Sequence, residues 1–470
     1  MPLILPGNVG SATAATGYNV ANSCRFNGGD SAKFNIDHSG AGNRDLWTFS
    51  MWIKRSGLGA EEPLFNSRPN ANFETFCGFG ADDTLVYKQK NDGSTTGQYV
   101  TNRKFRDVSA WYNLIFVYDQ NNGTAGNRGR IYVNGVEETS FATEDNFSDS
   151  STWNGTNTCN IGNSQTAYFD GYMAELVFID GQALTQTSFG EFDSDSGIWK
   201  PINVSSLTPG TNGFHLDFEA SANLGNNAFS SGSADWTETN ITATDQSLDT
   251  CTNNFCTMNS LDNYYPASTF SEGNLKVVSG GSPYSSNTAT FGLSSGKWYY
   301  ELKYLARGGS EDLWHVGIKS TQDTANDQML GEFANDYGYR AYNGKVRNNN
   351  GDITYGNTFA INDIIGVYID LDNSKLYFAK NGTIQNSGTG ISITAVASTP
   401  LGVYFPAISW NDGSTAGTCS LNFGSPMDDT GGNTDANGYG DFEYDPSSGT
   451  FDSASKSFYA INTKNLAEFG

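Results

Sequence analysis

The sequence predicts an all-β protein: two antiparallel β-sandwich domains in tandem, preceded by an extended N-terminal arm and followed by a loop-rich C-terminal tail. Three observations carry this prediction. The 470 residues include 24 Tyr, 30 Phe and 9 Trp among 54 Gly and many Asn, Ser, Thr and Asp, the composition of strands joined by many turns. Leu, Ala, Glu, Lys and Arg, which favour helices, are not abundant. Finally, apolar residues recur in short alternating runs bounded by turn clusters rather than at helical spacing. The length fits two or three domains.

Charge and composition exclude several functions. Fifty acidic side chains against 26 basic ones give a net charge of −24, the opposite of a phosphate-backbone footprint, so no nucleic-acid partner is expected. An aromatic fraction of 13% argues against disorder. No apolar run approaches the roughly 20 residues that span a bilayer, so no membrane insertion is expected. The opening MPLILPG has no basic residue ahead of its short apolar core and is interrupted twice by Pro, unlike a secretory signal. Six cysteines and three histidines (His38, His215, His315) lack zinc-site spacing. The cysteines read as buried small hydrophobes, with Cys251 and Cys256 close enough in sequence for a bridge.

Residues 1–22 carry no charge and form the predicted arm. Between residues 23 and 200, Thr48–Ile53 alternates and ends at Lys54-Arg55-Ser56-Gly57. Trp111–Tyr118 is a strongly apolar strand followed by the turn Asp119-Gln120-Asn121-Asn122-Gly123, and Arg130–Val133 runs into Asn134-Gly135, a strong hairpin signal. Residues 201–270 are polar and turn-rich, with Phe214, Leu216, Phe218, Trp236 and Ile241 available to add strands to a neighbour; they read as an ordered linker. From 271 to 426 a second β pattern runs through GKWYYELKY, DLWHVGIKS and the hairpin IIGVYIDLDNSKLYFAKNG to LGVYFPAIS and CSLNFG. Residues 427–470, with Asp428, Asp429, Asp435, Asp441, Glu443 and Asp445, read as an acidic Gly-rich tail with a small strand at SFYAIN.

These motifs carry two resemblances. FNGGDSAKFNI, WTFSMWIKR, WYNLIFVYD, GRIYVNGVE and FDGYMAELVFIDGQAL, in that order over residues 23–190, resemble the laminin-G-like, concanavalin A-like lectin/glucanase superfamily, which implies a jelly-roll of two antiparallel sheets. The tyrosine-glutamate strand, VGI, the GVYIDLDNSKLYFAKNG hairpin, FPAIS and the closing NFG, over residues 271–425, are similar to the SPRY domain, a bent β-sandwich that typically recognises proteins.

Tests for catalysis fail on the residues. Laminarinases of the lectin-like fold use Glu-x-Asp-x-(x)-Glu on one strand; the nearest match, Phe214-His215-Leu216-Asp217-Phe218-Glu219, puts His215 where the nucleophile belongs. Glu191-x-Asp193-x-Asp195 has one-face spacing but lies in Gly/Ser-rich sequence. Neither a nucleophile elbow nor a phosphate loop is present, and His315 sits inside an alternating strand. The protein therefore reads as a non-enzyme. Calcium is the one cofactor the loops suggest, through Asp119 and Asn121 or Asp435-Ala436-Asn437, which lack full EF-hand spacing. For ligand recognition, aromatic-and-amide loops nominate Tyr339, Tyr342 and Asn343, and Trp410, Asn411 and Asp412.

The uncharged arm, lectin-like sandwich, cysteine-bearing connector, SPRY-like sandwich and NTKNL end together resemble structural proteins of marine bacteriophages. That implies a virion-exterior protein of a tail fibre or appendage, partnered by other virion proteins and by host cell-surface polysaccharide or protein. A homo-oligomer is expected, because weak sugar contacts gain strength by multivalency. The alternatives are a capsid decoration or tail-structural protein whose loops contact neighbouring subunits and, more remotely, a polysaccharide depolymerase.

Overall fold

The structure, a computed structural model, describes residues 17–263, 267–280, 284–321, 328–411 and 415–470. Those residues divide into two units, 17–252 and 253–470, and each is all-β as the sequence predicts. The 1–16 part of the arm lies outside the described residues.

Among the described residues the first unit holds two eight-stranded antiparallel sheets. The first sheet runs Val136–Glu137, Gly129–Val133, Trp111–Asp119, Leu46–Arg55, Gly171–Asp180, Ser23–Phe26 and Gln246–Ser247, with Phe214–Leu216 added beside Gly171–Asp180. The second runs Phe141–Asp145, Ser94–Lys104, Thr84–Asn91, Phe73–Phe79, Glu62–Asn70, Cys159–Ile161, Lys33–Ile36 and Thr237–Thr239. Alternation aims Trp47, Phe49, Phe116 and Phe178 of the first sheet against Phe65, Cys77 and Tyr87 of the second, with Trp153 stacked on Phe49 at 5.7 Å between ring centres.

The two sheets differ on their outer faces. The first is apolar there too: Ile115, Val117, Val177 and Ile179 are covered by Phe189, Val204 and Phe229, and Trp52, Trp111 and Tyr172 by Val20 and Trp199. The 201–270 segment expected as a linker is therefore divided. Its Phe214, Leu216, Phe218, Trp236 and Ile241 are buried in the first unit, whereas Met258–Asn263 and Thr269–Ser271 pair within the second. Large apolar side chains scattered singly in polar sequence gain most by joining an existing sheet.

The second unit pairs Met258–Asn263, Ser285–Ala289, Phe405–Trp410, Trp314–Lys319, Asp336–Arg340, Lys345–Asn348 and Gly351–Thr354 in one sheet. The other is built on Thr418–Asn422, Lys297–Ala306, Ile364–Asp370 and Lys375–Lys380. The acidic tail is more structured than its composition suggests. Phe442 packs on Tyr299 at 5.0 Å, while Phe451 and Phe458 pack on Tyr368 at 4.9 and 5.0 Å. Tyr459–Ala460 pairs in parallel with Lys297–Ala306, and the chain ends in the helix α1 (Thr463–Phe469), capped by Asn462. All six cysteines are free, so Cys251 and Cys256 are not bridged.

Candidate functional site

The outer face of the second sheet of the first unit is the feature that composition alone does not announce. Directly opposed residues of antiparallel neighbours share a face. The register therefore sets Thr237, Asn35, Asn160, Asn66, Phe76, Lys88, Gln98 and Asp145 in one row across eight strands. Asn35, Asn160, Lys88 and Gln98 are half-exposed, whereas the alternating Phe34, Ile161, Tyr87 and Tyr99 are buried in the core. Among the described residues the side-chain amides of Asn160 and Gln98 make no hydrogen bond, so both are available to a ligand.

The middle of the row is preorganised. Glu74, on the same face two residues from Phe76, accepts from Asn66 Nδ2 at 3.3 Å and lies 3.1 Å from Lys88 Nζ and 3.8 Å from Arg68 Nε. Lys88 also sits over the Phe76 ring, 5.5 Å from its centre. Asn66, Phe76 and Glu74 are themselves buried, so they brace the face, and the groups left for a polyhydroxylated ligand, whose hydroxyls need paired donors and acceptors, are the half-exposed Asn35, Asn160, Lys88 and Gln98.

The same register argues against hydrolysis at this face. The other carboxylate of the row, Asp145, stands three strands from Glu74, about 14 Å at ~4.8 Å per strand. Glycosidase pairs stand roughly 5–5.5 Å or 6.5–9.5 Å apart.

The other carboxylates hold the fold together. Phe214 and Leu216 enter the core, while His215 turns outward to Glu175, Nε2 to Oε2 3.1 Å, and Glu175 also accepts from Tyr18 at 3.3 Å. Asp217 caps the bend by accepting from Glu219 N at 3.1 Å. Asp193 accepts from Ser196 N at 2.9 Å and meets Lys200 at 3.2 Å; these contacts, Ser196 foremost, hold its carboxyl down to about 2. His315 is buried against the Leu330 carbonyl at 3.1 Å, and burial pushes it down to about 3, which keeps it neutral.

Among the described residues, those nominated for ligand binding do not form one site. Tyr339 and Trp410 are corrected to core residues: strand alternation turns both inward, where Tyr339 stacks on Phe378 at 4.9 Å and Trp410 meets Trp314 at 5.2 Å. The Tyr339 hydroxyl is consumed by the Asn357 carbonyl, and Trp410 Nε1 donates to Thr415 O at 2.8 Å. Tyr342 is exposed and its hydroxyl accepts from Arg340 at 2.8 Å, whereas the half-buried Asn343 caps Lys345 N at 3.1 Å. Asn411 is half-buried, and its backbone N–H donates to Leu313 O at 3.2 Å. Asp412 lies outside the described residues.

Nor do the calcium candidates converge. Asp119 accepts from Asn122 Nδ2 at 3.2 Å in a turn closed by Asn122 N to Asp119 O at 3.1 Å, while Asn121 is exposed. Asp435 is saturated by the N–H groups of Asn437, Tyr439 and Ala460, each at 2.9 Å, and by Asn465 Nδ2 at 2.7 Å. Among the described residues no three His, Cys, Asp or Glu side chains are grouped to hold a metal. The amide row itself escaped the sequence reading, although Phe73–Lys104 carries its signal in polar residues alternating with Cys77, Leu85, Tyr87 and Tyr99.

Comparison with known proteins fits this architecture. Residues 26–188 match the concanavalin A-like lectin/glucanases superfamily, and residues 297–426 match the SPRY domain. A probable ATP-dependent RNA helicase ddx1 of Dictyostelium discoideum is 34% identical over 123 residues, 26% of this chain and 14% of that protein. The Set1 complex component ash2 of Schizosaccharomyces pombe is 32% identical over 102 residues, 22% of this chain and 15% of that protein. The chain thus spans about a seventh of the length of these curated relatives. Among solved structures, a SAP-like pentraxin from Limulus polyphemus shares 19% identity over 43% of this chain and 94% of its own, with a TM-score of 0.29. The SPRY domain of human HERC1 shares 17% over 31% of this chain and 87% of its own, with a TM-score of 0.27. The chain carries a concanavalin A-like, laminin-G-like domain and, after it, a SPRY domain, two β-sandwich types that are typically non-catalytic binding modules.

Proposed function

We propose that this protein is a non-enzymatic structural protein of a bacteriophage virion, an exterior tail-fibre or appendage component that binds host cell-surface polysaccharide through the first sandwich. The observation that carries the binding reading is the uncovered row of Asn35, Asn160, Lys88 and Gln98, half-exposed on a sheet whose other face is core. The unbonded amides of Asn160 and Gln98, held on a rigid sheet, present hydrogen-bonding groups at little ordering cost. The wide separation of Glu74 from Asp145 favours binding over cleavage. The virion assignment rests on the domain series and on the acidic, turn-rich surface, which repels nucleic acid and stays soluble.

The test is a polysaccharide array probed with the full chain, followed by whole-cell binding and location of the chain in particle images. The expected result is saturable binding to a surface polysaccharide without release of reducing ends, and density at the particle exterior. Reducing-end release, or no binding to any polysaccharide or cell, overturns the reading.

A further inference from the structure

One cleft of the second unit gathers charged groups that the fold leaves unused. It lies between the outer face of the Thr418–Asn422, Lys297–Ala306 and Ile364–Asp370 strands and residues 426–430, with Glu443 beside them. Register sets its floor. Lys303 stands opposite Ser420 on one side and Ile364 on the other, while Glu301 stands opposite Asn422. The alternating Leu302, Cys419 and Leu421 side chains belong to the core, so Lys303, Glu301, Ser420 and Asn422 face the cleft.

Two of these floor groups are spent. Glu301 accepts from Tyr299, Asn422, Glu443 N and Tyr444 N. Asn422 also donates to the Asp441 carbonyl at 2.8 Å, and its Oδ1 accepts from Gly424 N at 2.8 Å. The other two are not. Ser420 is 7% exposed, yet its hydroxyl has no hydrogen-bond partner among the described residues, a rare state for a buried polar group. The half-buried Lys303 ammonium makes neither an ion pair nor a hydrogen bond among those residues. On the opposite wall the carboxylates of Asp428, Asp429 and Glu443 are likewise without partners among them.

Opposite charges thus line one cleft without pairing with each other. Lys303 is fixed on a central strand, and the carboxylates stand on the chain that crosses over it. A lone cation in the gap would meet Lys303, and a lone anion would meet three carboxylates. A ligand carrying both signs satisfies both walls. The cleft measures about 40 Å3, room for roughly three waters at ~10–15 Å3 each, so it takes a small charged head. Ile364, Pro426 and Met427 complete its lining with apolar surface.

We propose that this cleft binds a small zwitterion of the α-amino-acid class, its carboxylate held by Lys303 and the Ser420 hydroxyl and its ammonium by Asp428, Asp429 and Glu443. Facing residues of adjacent strands bring the two carboxylate donors side by side. Charge-assisted hydrogen bonds at both ends of the head are the strong kind. Because only the head enters, the side chain stays at the exposed rim of Asp428 and Asp429, and the class rather than one member is recognised.

Isothermal titration of the full chain with glycine, alanine and serine, and with ethylamine and acetate as the two halves of the head, tests this. The amino acids are expected to bind, and each half at least tenfold more weakly. Lys303→Met, Ser420→Ala and the rim double variant Asp428→Asn/Asp429→Asn are each expected to weaken amino-acid binding at least tenfold. Ser420→Ala breaks no hydrogen bond and should keep the parent's unfolding midpoint, which separates lost binding from lost folding. Asp445→Asn, in the same tail but outside the lining, should bind as the parent does. A parent chain that binds none of the three amino acids, either half bound as tightly as they are, or unchanged binding in any of the three cleft variants overturns the proposal.

Discussion

Each unit covers the outer face of one sheet with sequence that follows its sandwich strands, and the two covers are anchored by different chemistry. In the first unit the anchor is a buried ion pair. Lys54 Nζ lies 2.7 Å from Asp249 Oδ2, both side chains 1% exposed, and Trp111 Nε1 donates to Asp249 Oδ1 at 3.0 Å. In the second unit the anchor is a carboxylate wrapped in donors: Glu301 accepts from Tyr299 Oη at 2.9 Å, Asn422 Nδ2 at 3.1 Å, and the tail amides Glu443 N and Tyr444 N at 3.1 and 2.9 Å. One cover is held by an ammonium–carboxylate pair, whereas the other depends on a single carboxyl whose proton is in play. Burial, only partly offset by the Tyr444 and Glu443 amides, raises Glu301 to about 7.

Breaking the first anchor has the largest expected effect. Asp249→Ala takes the carboxylate away from the buried Lys54 ammonium and should destabilise the first unit by about 3–5 kcal/mol. Removing the aromatic wedge with Trp236→Ala should cost a comparable ~3–5 kcal/mol, since Trp236 packs on Phe214 at 4.8 Å and Trp153 at 6.1 Å. Urea unfolding of each variant measures both. The double replacement Lys54→Met/Asp249→Leu should cost far less than Asp249→Ala, because no unpaired charge remains; an equal cost contradicts the ion-pair account.

The second anchor is broken by pH. The folded-state value of Glu301 lies above the ordinary 4.5, so the native state holds this proton more tightly than the unfolded chain. Its contribution is fully present below about pH 4.5 and is lost as pH rises through about 7, an effect of order 3 kcal/mol. The second unit should therefore unfold at higher urea at pH 5 than at pH 8, and Glu301→Gln should flatten that difference. Glu62 of the first unit, which burial raises to about 8 against the pull of Arg55, acts in the same direction; the comparison of parent with Glu301→Gln isolates the tail anchor. A slope unchanged in Glu301→Gln refutes the assignment. The smallest effect, about 1 kcal/mol, is expected for Lys456→Met, which removes a partly exposed ammonium 2.8 Å from Asp370 while Asn373 Nδ2 still donates to that carboxylate at 2.9 Å.

The architecture was legible where patterning is strict. The runs read as strands at Thr48–Ile53, Trp111–Tyr118 and Gly296–Tyr304 and the hairpin Ile364–Gly382 coincide with the strands Leu46–Arg55, Trp111–Asp119, Lys297–Ala306, Ile364–Asp370 and Lys375–Lys380. The covers were less legible, because Phe214, Trp236, Phe442 and Phe458 stand singly in polar sequence and find their partners only in three dimensions. The candidate site was hidden for a related reason. Tyr339 and Trp410 look like recognition residues beside Asn and Gly, yet strand phase turns them inward, and phase depends on register. Conversely, Asn35, Asn160 and Gln98 come from strands far apart in sequence, and only cross-strand pairing brings them into one row.

The central claim is that the uncovered sheet of the first unit carries the ligand while the covered sheets carry stability. The most direct measurement is titration of the parent chain and of the face variants Asn160→Ala and Lys88→Ala against the surface polysaccharide retained from the array, with Tyr342→Ala in the second unit as the comparison. Loss of binding by tenfold or more in the two face variants, with unfolding midpoints within about 0.5 kcal/mol of the parent and Tyr342→Ala binding as the parent does, is the predicted result. Face variants that bind like the parent, or a loss confined to Tyr342→Ala, would contradict it.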